Sequence, residues 1–171
     1  MKPIVTQDDK KLAGHLKKKS KKVHVYFNRK NSNKGESTYL TGKYYSEKNK
    51  KEFTYRSSYE LRFYHLLDMD SRVETYDVEG VKVPYIDVDG TKRNYIPDVI
   101  VMYKTGRLEV CEVKPQVMLE NETVQLKAAA CKIYFKELLK SSGVPFSFKF
   151  ITEKDLFSSN TEYSLFLKNN V

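Results

Sequence analysis

Two short motifs in the middle of the chain have the residue types needed to hydrolyse a phosphodiester bond. Pro97-Asp98 opens one β-like run, and Glu112-Val113-Lys114 ends the next. Alternate residues of a strand face the same side, so Glu112 and Lys114 should project together, and a hairpin can set Asp98 beside Glu112. Two such carboxylates suit one or two Mg²⁺ or Mn²⁺ ions, which polarise a phosphoryl oxygen and supply hydroxide at neutral pH. The adjacent lysine would orient the nucleophilic water and stabilise developing negative charge.

Each motif alone has an ordinary structural explanation. A Pro-Asp pair commonly begins a strand, and a Glu-x-Lys on a strand is commonly a solvated charge pair. The combination is more specific, because 13 residues containing the turn signal Thr105-Gly106 separate Asp98 from Glu112, and an acidic residue lies on an upstream helix. The spacing therefore favours a nuclease site.

The upstream acidic residue is Glu60. Ser57 stands three residues before it, which is the spacing of a capping box, so we predict that a helix begins at about Ser58. Apolar residues then follow at the spacing of one helical face: Tyr59, Phe63, Leu66 and Leu67. Glu60 could serve as cap, as metal ligand, or as both in different states.

The elements that must position these residues are predicted from periodicity and turn signals. β-Branched and aromatic runs predict strands at 73–78, 81–88, 94–103, 107–113 and 145–151. Apolar positions at intervals of three and four predict a long helix over 122–142, with Asn121 as N-cap and Gly143 just past its end. A terminal helix is predicted over 158–168. The order is one helix, three or four strands, a second helix and a further strand (α-β-β-β-α-β), which is an α/β fold with a mixed or antiparallel sheet flanked by helices.

Charge is distributed unevenly along the 171 residues. The net charge is +9, yet residues 1–50 carry 14 Lys and Arg against 4 Asp and Glu, so the basic excess is N-terminal. We interpret residues 1–35 as a basic arm that binds polyanions and 36–171 as the folded domain. The alternatives are a solubilising tail and, less favoured, an anchor on acidic membranes. The arm residues predicted to contact phosphate are Lys17, Lys18, Lys19, Lys21, Lys22, Arg29 and Lys30.

Cysteine usage and hydropathy predict a protein of the reducing interior of a cell. Cys111 and Cys131 lie in apolar segments without the spacing of a zinc site or a disulfide framework. No apolar run approaches the ~20 residues that span a bilayer, and no signal-peptide pattern begins the chain. We expect a cytoplasmic protein of a bacterial or phage-infected cell, or one associated with a virion.

Taken together, Glu60, Pro97-Asp98 and Glu112-x-Lys114 on this order of elements resemble the PD-(D/E)xK, or restriction-endonuclease-like, superfamily. Within it, three stretches resemble TnsA-type transposon endonucleases and the head-completion nucleases of tailed phages: YRSSYE at 55–60, VPYIDVDGTKRNYIPDV at 83–99 and CEVKP at 111–115. The resemblance covers roughly residues 36–151. It implies a restriction-endonuclease-like core.

The resemblance also implies roles for individual residues. Glu60, Asp98 and Glu112 would bind divalent metal, the Val113 carbonyl would be a further ligand, and Lys114 would assist catalysis. Gln125 matches a polar residue that many relatives direct at the site from the following helix.

Three basic residues are candidates for contact with DNA phosphates. Lys127 and Lys132 share the polar side of the long helix with Gln125, and Arg56 precedes the catalytic helix, whose first amides could hold a phosphate. The alternatives are solvated helix positions for the lysines and a surface ion pair for Arg56. Tyr95 is as well explained by the core as by a DNA contact.

The leading hypothesis is a Mg²⁺- or Mn²⁺-dependent DNA endonuclease acting in phage head completion, DNA processing or transposition. Without a base-reading module, structure-selective or nonspecific cleavage of double-stranded or branched DNA is favoured. The alternatives are a Holliday-junction-resolvase-like enzyme, working as a homodimer, and a noncatalytic DNA-binding phage head or neck protein. An RNA-binding module is disfavoured because no RNP-type aromatic motif is present. A head, neck or transposition partner is expected, and a membrane is not.

Overall fold

The computed structural model describes residues 40–170, so the predicted basic arm lies outside the described residues. Eight strands, four helices and one 3₁₀ turn follow each other in this range. They are β1 (Gly42–Ser46), β2 (Lys51–Tyr55), α1 (Ser58–Met69), β3 (Val73–Val78), β4 (Val83–Ile86), β5 (Lys92–Tyr95), β6 (Val99–Tyr103), β7 (Leu108–Val113), the 3₁₀ turn (Gln116–Met118), α2 (Glu122–Leu139), β8 (Phe146–Ile151), α3 (Glu153–Leu156) and α4 (Asn160–Asn170).

The central sheet has four strands in the order β3-β6-β7-β8. β6 pairs antiparallel with β3 and β7, whereas β7 pairs parallel with β8, because the long helix α2 forms the crossover between them. The predicted mixed sheet flanked by helices is therefore confirmed. Two hairpins, β1–β2 and β4–β5, form separate two-stranded sheets beside it.

Helices and hairpins cover the central sheet on both faces, because its strands carry apolar residues on both. Val99 and Val101 of β6 face a core shared with α1, β2 and β3, whereas Ile100 faces a second core. That second core contains Val110 of β7, Phe135 of α2 and the inner face of the β4–β5 hairpin, and its strand residues are almost fully buried. The strands near the predicted site are thus fixed from both sides.

The helix predictions held well at the N-caps. Ser57 caps α1 by accepting from the Glu60 amide at 3.1 Å, and Asn121 caps α2 by accepting from the Val124 amide at 3.2 Å. Helix α2 ends at Leu139 rather than at 142, and Gly143, at φ 65°, reverses the chain toward β8. None of the described helices is long and apolar enough to cross a membrane.

One predicted strand was wrong in its extent, and one hairpin was not predicted. The run predicted as one strand over 94–103 is divided between β5 and β6, because the buried Pro97 has no amide hydrogen to donate and the chain changes partner there. The β1–β2 hairpin was not predicted. It is held to α1 by Asp68, whose carboxylate accepts hydrogen bonds from Tyr44, from Ser46 and from the Glu47 amide.

Candidate functional site

Asp98 and Glu112 lie next to each other at one end of the β6–β7 hairpin. Val99 pairs with Cys111, so continuing the antiparallel register by one residue places Asp98 opposite Glu112. The Asp98 carboxylate is fixed by the Val113 amide, which donates to Oδ2 at 2.7 Å. The juxtaposition predicted from strand alternation is present in the structure.

Lys114 lies between the two carboxylates. Its Nζ is 2.9 Å from Glu112 Oε1 and 3.9 Å from Asp98 Oδ2, and it donates to the Val113 carbonyl at 3.3 Å. The Lys114 amide donates to the Ile151 carbonyl, which continues the parallel β7–β8 pairing past the end of β7. A rigid backbone therefore supports all three functional side chains.

The electrostatics of this group favour the arrival of a cation. Burial, reinforced by the neighbouring Glu112 carboxylate, raises the pKa of Asp98 to about 8, despite the opposing effects of Lys114 and the Val113 amide. For Lys114, burial opposes the charged form, but Asp98 and Glu112 outweigh it and the pKa lies above its ordinary value. The single positive charge of Lys114 thus offsets only part of the negative charge that Asp98 and Glu112 carry when both are ionised.

Tyr95, the last residue of β5, contacts the site directly. Its hydroxyl donates to Glu112 Oε2 at 2.5 Å, so Tyr95 and Lys114 engage opposite oxygens of one buried carboxylate. Burial first, and then the Glu112 charge, raise the pKa of Tyr95, so its hydroxyl remains a donor. Tyr95 belongs to the core, which was one of the two interpretations offered by the sequence, and it also orients Glu112. Sequence reasoning missed this second role, for which the position three residues before Asp98 was the available signal.

Both carboxylate oxygens of Glu60 are engaged in hydrogen bonds at the start of α1. Oε2 accepts from the Arg56 amide at 2.8 Å, and Oε1 accepts from the Ser57 hydroxyl at 3.1 Å. Its charge nevertheless contributes to the raised pKa values of Asp98 and Lys114, so it lies within electrostatic reach of both. Metal binding by Glu60 stays a prediction that requires it to release the cap.

The oxygen atoms at this site are of the kind that binds the divalent metal implied by the resemblance. Among residues 40–170, no three His, Cys, Asp or Glu side chains form a ready metal cluster. Two carboxylates, Asp98 and Glu112, with the Val113 carbonyl beside them, are nevertheless the number of protein ligands that Mg²⁺ ordinarily takes, because it keeps several waters. The chemistry of the donor set fits Mg²⁺ or Mn²⁺, with Lys114 currently beside the oxygens that an ion would use.

The other predicted site residues occupy different surroundings. Gln125 donates to the Leu119 carbonyl at 2.5 Å, and none of its described hydrogen bonds reaches the carboxylates. Lys132 lies over the Phe148 ring at 5.5 Å, and Arg56 forms an ion pair with Glu79. Lys127 lies about equally far from the Tyr85 and Tyr95 rings, at 5.8 and 6.0 Å, which places its charge on the hairpin beside the site. Their proposed contacts with DNA stay predictions.

Seven predicted phosphate contacts fall on residues outside the described range, and the structure does not address them. They are Lys17, Lys18, Lys19, Lys21, Lys22, Arg29 and Lys30.

Comparison with known proteins gives two matches over this region. The family described as TnsA-like endonuclease N terminal matches residues 70–153, a range that contains Asp98, Glu112 and Lys114 and begins after Glu60. The head completion nuclease of Enterobacteria phage T4 is 29% identical over 91 residues, which cover 52% of this chain and 61% of that protein. The chain thus matches less than two thirds of the length of this relative.

Proposed function

We propose that this chain, a restriction-endonuclease-like nuclease related to the TnsA-like endonucleases and the phage head completion nuclease, is a divalent-metal-dependent DNA endonuclease. The observation that carries the proposal is the arrangement of Lys114 between Asp98 and Glu112. A pair of carboxylates next to a lysine on rigid strands is what phosphodiester hydrolysis requires: ligands for a hard cation and a positive charge for the reacting phosphate.

Each residue has a distinct part in this chemistry. Asp98, Glu112 and the Val113 carbonyl would hold the ion, which when bound would polarise the phosphate and lower the pKa of water. Lys114, displaced from the carboxylates, would direct its ammonium protons at the phosphate oxygens and the attacking water. Tyr95 keeps Glu112 Oε2 engaged, which would leave Oε1, now beside Lys114, as the oxygen available to an ion. The Val113 amide fixes Asp98 in the same way through Oδ2.

The expected substrate is double-stranded or branched DNA, cleaved with structural rather than sequence preference. Two alternatives remain, a Holliday-junction-resolvase-like enzyme and a noncatalytic DNA-binding phage structural protein. The grouping of Asp98, Glu112 and Lys114 argues against the second, because a protein that only grips DNA has no need of two adjacent carboxylates beside a lysine. The homodimer, the head, neck or transposition partner and the cytoplasmic or virion location stay predictions.

The direct test is cleavage of supercoiled plasmid, linear duplex and branched oligonucleotides by the full chain in Mg²⁺, in Mn²⁺ and in EDTA. Nicked or linear products that form only with metal are expected. The Asp98→Asn protein, purified in parallel, controls for contaminating nucleases. DNA binding without cleavage in any of these conditions would overturn the proposal in favour of the structural protein.

Tyr95→Phe is expected to weaken Mn²⁺ binding by about 10- to 100-fold, the usual effect of removing a group that orients a metal ligand. The ring and its packing remain, but Glu112 Oε2 loses its donor and the carboxylate is free to turn. Mn²⁺ titration followed by electron paramagnetic resonance measures the affinity directly, and cleavage should recover at saturating metal.

Tyr85→Phe is the matched control for this prediction. It lies on the same hairpin and loses a hydroxyl that donates to Asp87 at 3.3 Å instead of to the site. Mn²⁺ affinities of the two variants within a factor of two of each other would show that Tyr95 does not orient Glu112.

A further inference from the structure

The outer face of the β4–β5 hairpin has an unusual composition for a surface beside two carboxylates. Val83, Tyr85 and Tyr95 point inward and are buried, so the alternate residues point outward. This outer face consists of Lys82, Pro84, Ile86, Lys92, Asn94 and Ile96, all exposed. Ile86 is 59% exposed, although a polar residue at this outward position of the hairpin would fit equally well.

The charge of this face is positive and uncompensated. Neither Lys82 nor Lys92 forms an ion pair with any residue in 40–170, and the Asn94 amide makes no side-chain hydrogen bond in that range. The carboxylates at the hairpin tip are occupied, because Arg93 pairs with both Asp87 and Asp89 at 2.9 Å. With respect to residues 40–170, the outer face therefore presents two unpaired ammonium groups and one unpaired amide, with no carboxylate among them.

The hairpin is held rigidly against the site. Tyr95 hydrogen-bonds Glu112 from the inner face, and the Thr123 hydroxyl of α2 donates to Asp87 at the tip. Register pairs Ile86 with Lys92 and Pro84 with Asn94. Lys82 and Lys92 thus stand at diagonally opposite corners, about 13 Å apart along the strands at about 3.3 Å per residue.

We propose that this outer face is a DNA-contacting ribbon that lies in the groove of the duplex next to the scissile phosphate. A two-stranded ribbon fits the major groove, so the outer face can lie along it with the two lysines about 13 Å apart in the strand direction. Lys82 and Lys92 would contact backbone phosphates near the two ends of the ribbon, while Asn94 and Ile86 face base edges. The inference deepens the proposed function by assigning its DNA contact to this hairpin.

The test is duplex binding by Lys82→Ala/Lys92→Ala in the full chain, measured by fluorescence anisotropy in Ca²⁺ over a series of KCl concentrations. The Kd for a labelled random-sequence duplex is expected to rise about tenfold at low salt, and the slope of log K against log[KCl] to fall by about 2, since each lost phosphate contact contributes about 0.9. The control is Lys136→Ala/Lys140→Ala, which removes the same charge from the opposite end of α2.

The outcomes separate the inference from the proposed function. Equal effects of the two double variants, or no effect of either, would overturn the ribbon even if the wild-type protein cleaves DNA. A selective loss in the hairpin variant, with unchanged Mn²⁺ affinity and melting temperature, would support the ribbon even if no cleavage were seen in any condition.

Discussion

Asp98→Asn is expected to abolish cleavage and, at the same time, to stabilise the metal-free protein. The loss of cleavage should be about 10³-fold or more, because a catalytic metal contributes several kcal/mol and each ~1.36 kcal/mol is tenfold in rate. The gain in stability arises because an amide keeps the acceptor for the Val113 amide but carries no charge to crowd Glu112. We expect an increase of a few kcal/mol at pH 8.

The pH dependence gives this prediction a definite sign. The pKa of Asp98 is about 8 in the folded protein and about 3.9 in the unfolded chain. Between these values the folded state binds a proton that the unfolded state has released, so the contribution of Asp98 to the stability of the wild-type protein falls as pH rises from about 4 to about 8. The advantage of Asp98→Asn should therefore be small near pH 4 and largest near pH 8, as measured by chemical denaturation in EDTA.

Asp155→Asn is the control of opposite sign. Although burial acts the other way, hydrogen bonds from Lys149 and Thr152 hold the pKa of Asp155 below its usual value, so this carboxylate stabilises the fold at neutral pH. That stabilisation is lost in acid, as pH falls through the depressed pKa. The variant should be less stable than wild type at pH 8 and should still cleave. If Asp98→Asn were destabilised at pH 8 to a similar degree, the charge of Asp98 would not be destabilising the folded protein as its raised pKa implies.

The catalytic core could be predicted from the sequence because it depends on short-range rules. Strand alternation places Glu112 and Lys114 together, and the hairpin turn at Gly106, at φ 80°, leaves only one register that brings Asp98 to Glu112. The N-caps of α1 and α2 follow from residues three positions apart. In each case the interaction is local, or spans one tight hairpin.

The parts that were missed depend on contacts between distant segments. The β1–β2 hairpin has a charged sequence with little alternation of apolar and polar residues. Its attachment to α1 depends on Asp68, which lies 22 to 24 residues further along the chain than its partners Ser46 and Tyr44. The bond from Tyr95 to Glu112 requires the β4–β5 hairpin to pack against α2 rather than to join the central sheet. For Glu60, the sequence supplied both cap and ligand readings, and the described hydrogen bonds are those of the cap.

Lys114→Met is expected to have the reverse signature of Asp98→Asn. Methionine retains the unbranched stem but removes the ammonium that lies 2.9 Å from Glu112 and 3.9 Å from Asp98. In the metal-free protein the buried Glu112 carboxylate then loses its charged partner, and we expect a loss of about 1 to 3 kcal/mol in the free energy of unfolding.

Metal binding should survive this substitution, because the ammonium competes with the ion for the same oxygens. Mn²⁺ affinity is expected to be unchanged or higher, and saturating Mn²⁺ should restore much of the lost stability. Cleavage should nevertheless fall by about 10²- to 10³-fold at saturating metal, the usual effect of removing one charge-stabilising donor. The matched control is Lys149→Met, which removes the more exposed ion pair between Lys149 and Asp155. This variant should cleave normally.

Together, Asp98→Asn and Lys114→Met test more strictly than either variant alone whether Asp98 binds the metal and Lys114 acts on the phosphate. A variant that merely misfolds would lose both stability and Mn²⁺ binding, whereas Asp98→Asn should lose Mn²⁺ binding and cleavage but not stability, and Lys114→Met should lose metal-free stability and turnover but not Mn²⁺ binding. If Lys114→Met cleaved within tenfold of wild type at saturating metal, the lysine would serve only to hold the carboxylates apart until the ion arrives. The charge for the reacting phosphate would then have to come from elsewhere, and Lys127 of α2, which lies 6.0 Å from the Tyr95 ring, is a candidate.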